Sequence, residues 1–141
     1  MRILGVDYGD ARCGIAITDE LCITVQGLET IHHEGSDKKL LAELEKIVCE
    51  YEVQIIVVGM PYNMDGSKTN RAEETERFIH KLKCKFNKLT IEQVDERLTT
   101  AQANRTMIEL DINRHKKKAI RDSLAATYIL EIYVEKQKSV W

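Results

Sequence analysis

Short apolar runs alternate along this chain with longer segments whose apolar residues return every three or four positions, and that alternation predicts its elements. Ile3 to Val6 reads as a strand covered on both faces and closed by Asp7. Tyr8 to Arg12 is a turn and Cys13 to Thr18 a second strand; so short a connection makes the pair antiparallel. Ile23 to Ile31, interrupted by Gly27, is a third strand. Ser36 can cap a helix to about Tyr51, with Leu40, Leu44, Ile47, Val48 and Tyr51 on one stripe. The β-branched run Ile55 to Val58 is a fourth strand and stops at Gly59-Met60-Pro61. A polar loop then leads to Ser67, which can cap a helix to about Lys83 with the stripe Ala72, Thr75, Ile79 and Leu82. Leu89 to Val94 is the fifth strand, ending at Asp95-Glu96. Thr99 and Gln102 fit a capping box for a helix that fades at Asp111 to Asn113, and a last helix covers about Lys117 to Gln137.

The order β-β-β-α-β-α-β-α-α defines an α/β fold. A helix between strands requires a right-handed crossover and parallel strands. Three antiparallel strands followed by that alternation give a mixed five-stranded sheet with helices on both faces. In such sheets sites form at the carboxyl ends of the strands.

Length and composition narrow the field. The 141 residues fit one domain, 1–141, and a charged fraction of 31% with 43% hydrophobic residues excludes disorder, a collagen-like chain and a small disulfide scaffold. With 21 Lys and Arg against 23 Asp and Glu, the net charge is −2, so any nucleic-acid contact is a local basic patch rather than a whole-surface field. No apolar run approaches the ~20 residues of a membrane span, and Asp7 interrupts the only one near the N-terminus. A cytoplasmic protein without a membrane partner is expected. Cys13, Cys22, Cys49 and Cys84 form no CxxC pair and read as reduced thiols, not zinc ligands.

Three acids stand out. Asp7 ends a central apolar strand, where an ionised carboxylate is costly to bury unless it is paired or holds a metal. Asp95 and Glu96 follow another strand end. Asp122 shares a helical stripe with Ala126, Ile129 and Tyr133 and is the one charge on it, while Ser123, Ala125 and Ala126 let the helix approach the sheet closely. Carboxylates from two strand ends and one helix can converge on Mg²⁺ or Mn²⁺, which prefer oxygen ligands. Two such ions can polarise a phosphodiester and stabilise its leaving oxygen. Basic residues flank each acid: Arg12 after Asp7, Arg97 after Glu96, and His115, Lys116, Lys117, Lys118 and Arg121 before Asp122. They are candidates for binding substrate phosphates.

Four segments together resemble one family. Gly5-Val6-Asp7-Tyr8-Gly9 and the hairpin that follows, the loop Gly59-Met60-Pro61-Tyr62-Asn63-Met64-Asp65-Gly66 (G-x-P-x-N-x-D-G), Asp95-Glu96-Arg97-Leu98-Thr99-Thr100 (D-E-R-L-T-T) and Asp122-Ser123-Leu124-Ala125-Ala126 (D-x-x-A-A) resemble, in order, the motifs of the YqgF family of RuvX-type Holliday-junction-resolvase-like proteins. The resemblance covers almost the whole chain. It implies a ribonuclease-H-like fold and a metal-dependent cytoplasmic nuclease that processes the 5′ end of pre-16S ribosomal RNA, with branched DNA as the other candidate substrate. It implies Asp7, Glu96 and Asp122 as metal-binding catalytic acids, with Asp10, Asp65 or Asp95 as candidate outer ligands. Its sheet order sets one strand, ending at Val58, between Asp7 and Glu96, so their strands lie ~10 Å apart and Glu96 must bend inward. A monomer or a homodimer is compatible with all of this.

Two other readings fit parts of the pattern. A non-catalytic nucleic-acid-binding module would keep the scaffold and the basic rim. A phosphotransferase would use Asp7-Tyr8-Gly9 against phosphate, but such enzymes close two domains over a nucleotide and this chain has the length of one.

Overall fold

The computed structural model describes residues 1–63, 65–96 and 114–138, the side chains of 114–123 excepted. Its strands are β1 (Arg2–Tyr8), β2 (Arg12–Thr18), β3 (Val25–His32), β4 (Val53–Met60) and β5 (Thr90–Asp95), and its helices α1 (Asp37–Tyr51), α2 (Asn70–Lys85) and α3 (Arg114–Lys138). The sheet order is β3-β2-β1-β4-β5. β1 pairs antiparallel with β2, β2 antiparallel with β3, and β4 parallel with both β1 and β5. This is the expected mixed five-stranded sheet, with β4 between β1, which carries Asp7, and β5, which ends at Asp95.

Alternation along the strands builds two cores. Leu4, Val6, Ile15, Ile56 and Val58 face α1 and α2, meeting Leu40, Leu44, Phe78 and Leu82. Ile3, Ala16, Val57 and Val94 face α3, meeting Ala126, Ile129, Leu130 and Tyr133. The apolar residues predicted to share a stripe with Asp122 are therefore those that bury α3. A Cβ on Gly5 would stand 2.9 Å from the carbonyl oxygen of Ala126, so the helix backbone settles here on a strand with no side chain.

The caps are partly as expected. Ser36 accepts from the Lys39 N–H and starts α1. The cap of α2 is Thr69 rather than Ser67: its hydroxyl accepts from the Ala72 N–H and donates to the Pro61 carbonyl. Ser67 is taken up in the loop before it, where its N–H and hydroxyl both donate to Asp65. The helix expected from Thr99 to about Asp111 lies outside the described residues.

The end of β1 is braced. Tyr8 stacks on Phe78 with ring centroids 4.3 Å apart and donates to Asp37 at 2.7 Å, while Lys81 donates to the other Asp37 oxygen at 2.8 Å. Burial raises the Asp37 pKa, but the bonds from Lys81 and Tyr8 outweigh it and hold the carboxyl below its ordinary 3.8. A depressed carboxyl stabilises the fold above its unfolded pKa and loses that stabilisation as pH falls through the folded value. Asp37→Asn is therefore expected to cost ~1 kcal/mol in urea unfolding at pH 7, discounted for the exposure of Lys81, and progressively less as the pH is taken down through the carboxylate range.

Candidate active site

Asp7 leaves β1 on the α3 side of the sheet, in line with Ile3 and Gly5, and is only 7% exposed. Beside it on β4, one position past the Val6–Val58 pair, stands Gly59, which is also paired with Val94 of β5. Two residues beyond Val94, on the same face, comes Glu96. A Cβ on Gly59 would lie 2.7 Å from Glu96 Oε1 and 2.4 Å from Ile129 Cδ1. The middle strand is thus bare where the Glu96 side chain folds across it, and Oε1 is sheltered from solvent there. This is the inward bend that the ~10 Å strand separation requires. The same pleat directs Asp95 to the opposite face, which separates two neighbours that the sequence leaves equivalent.

The turn after Asp7 is held by a buried histidine. His33 is 1% exposed; its Nε2 donates to the Gly9 carbonyl at 2.8 Å and its Nδ1 accepts from the Gly35 N–H at 3.2 Å, which fixes the tautomer. The N–H groups of His33 and Glu34 both donate to the Ala11 carbonyl. The sequence pattern puts His32 and His33 on opposite faces and gives neither a task; burial assigns His33 a structural one. His33→Ala removes two buried partners and is expected to cost ~2–4 kcal/mol in chemical denaturation.

Beside Asp7 lies a cleft of about 260 Å³, lined by Asp7, Gly9, Asp10, Ala11, Arg12 and Arg71. Arg71, in the first turn of α2, donates from Nη2 to Asp7 Oδ1 at 3.4 Å and to the Tyr8 carbonyl at 3.3 Å. No motif in the sequence points to this residue. Its one signal is a cation in the first helical turn, a place that the helix dipole disfavours. Asp10 hydrogen-bonds the Glu74 carboxyl, raising the Glu74 pKa. Asp65 instead organises its own loop through Ser67.

A family model described as RuvX, Holliday junction resolvase, matches residues 1–136. The chain belongs to the RuvX family. A Ruminiclostridium cellulolyticum protein named "Putative pre-16S rRNA nuclease" is 48% identical to it over 136 residues, 96% of this chain and 95% of that protein. A protein of the same name from Acetivibrio thermocellus is 45% identical over 140 residues, 99% of each. The structure of Thermus thermophilus RuvC with a Holliday junction substrate superposes with a TM-score of 0.59 at 11% identity, covering 97% of this chain and 96% of that one. That likeness establishes the ribonuclease-H-like fold. This RuvX chain is accordingly a nuclease, a hydrolase of phosphodiester bonds.

Of the residues predicted for the site, the fold brings Asp7 and Glu96 to one face and sets Arg12 at the rim beside Asp7. Asp122 belongs to α3, one turn before Ala126, with Lys116, Lys117, Lys118 and Arg121 in the preceding turns; these side chains and the whole of Arg97 lie outside the described residues. Among the described residues no three His, Cys, Asp or Glu side chains gather closely enough to hold an ion. The chemistry of Asp7 and Glu96 nevertheless fits a hard divalent cation, since both offer carboxylate oxygens across a strand cleared of side chain. Among the described residues no helix is long and apolar enough to cross a membrane.

Proposed function

We propose that this RuvX-family nuclease cleaves the 5′ end of pre-16S ribosomal RNA in the cytoplasm, with Asp7, Glu96 and Asp122 as catalytic acids holding Mg²⁺ or Mn²⁺. One observation carries the reading: Asp7 and Glu96 leave β1 and β5 on the same face of one sheet, and the strand between them carries Gly59, with no side chain of its own, where Glu96 folds across beside Ile129. The names of the relatives from Ruminiclostridium and Acetivibrio support the substrate.

The division of labour follows from position. Asp7 sits on a strand hydrogen-bonded on both sides and is the fixed ligand. Glu96 follows β5 and closes over Gly59 as the second. Asp122 would complete the set from α3. A divalent ion held by these acids would supply Lewis-acid polarisation of the phosphodiester. Hydrolysis forms a bond from a water oxygen to phosphorus, breaks the P–O ester bond and passes the water's proton to the leaving oxygen. Arg12, Arg97, Lys116, Lys117, Lys118 and Arg121 would bind backbone phosphates on either side of the break.

The deciding experiment offers a pre-16S RNA 5′ end and a four-way DNA junction to the same protein, with and without Mn²⁺. Cleavage of the RNA alone, and only with the ion, supports the reading. Preferential cutting of the junction would replace the substrate assignment, and paired symmetric cuts would also require a homodimer. Salt-sensitive binding without cleavage of either would leave a binding module.

A further inference from the structure

We infer that Arg71 is a resident counter-ion of the active site, one that holds the place of the divalent cation at Asp7 and passes to the substrate phosphate when the cation arrives. The inference rests on the metal-site reading above and adds a residue and a step to it.

Three observations support it. The first is position. Arg71 lies in the opening turn of α2, where the positive helix end makes a cation unfavourable and an acid welcome. Something must offset that, and the partners seen are Asp7 Oδ1 and the Tyr8 carbonyl, the backbone group next to it. The second is asymmetry. The Asp7 side chain is 8% exposed and the Arg71 side chain 47% exposed. The carboxylate is fixed by its strand, while about half of the Arg71 side chain faces water. The third is the quality of the bond. One nitrogen serves both acceptors, at 3.4 and 3.3 Å. A forked charge-assisted pair would be bidentate at ~2.7–2.9 Å. This contact is loose enough to be exchanged.

Electrostatics gives the exchange its direction. In the ion-free protein Asp7 is a nearly buried negative charge, and Arg71 lowers the cost of keeping it ionised. A divalent cation held by the Asp7 carboxylate would carry twice the charge of the guanidinium and would repel it. The cleft beside Asp7 has Arg12 and Arg71 in its lining. A phosphate group entering there would meet both guanidinium groups, and the planar fork of a released Arg71 can pair with two oxygens of the tetrahedral phosphate. Arg71 would then neutralise charge on the phosphate as the ester bond breaks.

Two opposed effects of a single substitution test this. Mn²⁺ binding to Arg71→Ala, Arg71→Lys and Asp7→Asn would be measured without nucleic acid, from the electron paramagnetic resonance signal of free Mn²⁺. Cleavage would be measured separately at saturating Mn²⁺. Alanine suits a helical turn, and unchanged circular dichroism would confirm that the variant is folded. Arg71→Ala is expected to bind Mn²⁺ about threefold more tightly, the scale of a half-exposed ion pair removed as competitor. It is also expected to cleave about a hundredfold more slowly, as for loss of one charge-stabilising donor. Arg71→Lys, which keeps the charge without the fork, should fall between Arg71→Ala and wild type in both. Unchanged or weaker Mn²⁺ binding by Arg71→Ala would overturn the counter-ion role, and unchanged cleavage would overturn the phosphate role. If Asp7→Asn binds Mn²⁺ as wild type does, the ion is not at Asp7, and the metal-site reading itself fails.

Discussion

Asp7→Asn is expected to reduce Mn²⁺-dependent cleavage by more than about a hundredfold, beyond the ten- to hundredfold typical when a group that merely supports a metal ligand is lost. The change keeps size and shape, so packing at the end of β1 is undisturbed. It removes the negative charge that the proposed ion would bind and leaves an amide oxygen, a far poorer partner for a divalent ion. Stability offers a second readout. An ion that binds only the folded chain stabilises it by ~2.7 kcal/mol at a hundred times its dissociation constant. Wild type should therefore gain several degrees in melting temperature on adding Mn²⁺, and Asp7→Asn should gain almost none. If the variant cleaves at the wild-type rate, Asp7 is not a catalytic acid.

Gly59→Ala should do nearly as much damage from a residue with no chemistry of its own. The new methyl group would stand 2.4 Å from Ile129 Cδ1 and 2.7 Å from Glu96 Oε1, both inside contact distance. Ile129 is buried against the sheet and can yield only a little, so the Glu96 carboxylate is the group displaced. Overpacking of this kind costs ~1–3 kcal/mol, a modest loss in melting temperature. A displacement near 1 Å at a reacting group costs about a hundredfold in rate. Activity should therefore fall far more than stability. A double-mutant cycle shows the route: if Gly59→Ala acts through Glu96, it should add little to Glu96→Gln. Full additivity would mean that Gly59 matters for packing alone.

Much of the fold is legible in the amino-acid sequence. Periodicity locates the strands and gives the buried stripes of α1 and α2, because burial is what imposes those periods. Asp7 is conspicuous because a charge ends an apolar run. Glu96 cannot be told from Asp95 by residue type; only the strand pleat and the space above Gly59 separate them. Ser67 and Thr69 are both good caps, and the choice between them depends on a bond to Pro61 across the loop. The roles of Arg71 and His33 are hidden for a related reason. Each acts on a turn far away along the chain, reached through helix or strand placement that no local pattern encodes.

His33 ties the Asp7 turn to the stretch after β3, and Tyr8 ties it to α1, so the position of this acid is set before any nucleic acid arrives. Arg12 opens β2, paired with His32, and the first turn of α2 borders the same cleft from outside the sheet. On the reading proposed above, the ion is anchored by the sheet, whereas part of the phosphate-binding rim is carried by a helix outside it. Exchanging the α2 rim for a relative's should therefore shift target preference without displacing Asp7, and should leave the dependence on cation intact where Arg71 is kept.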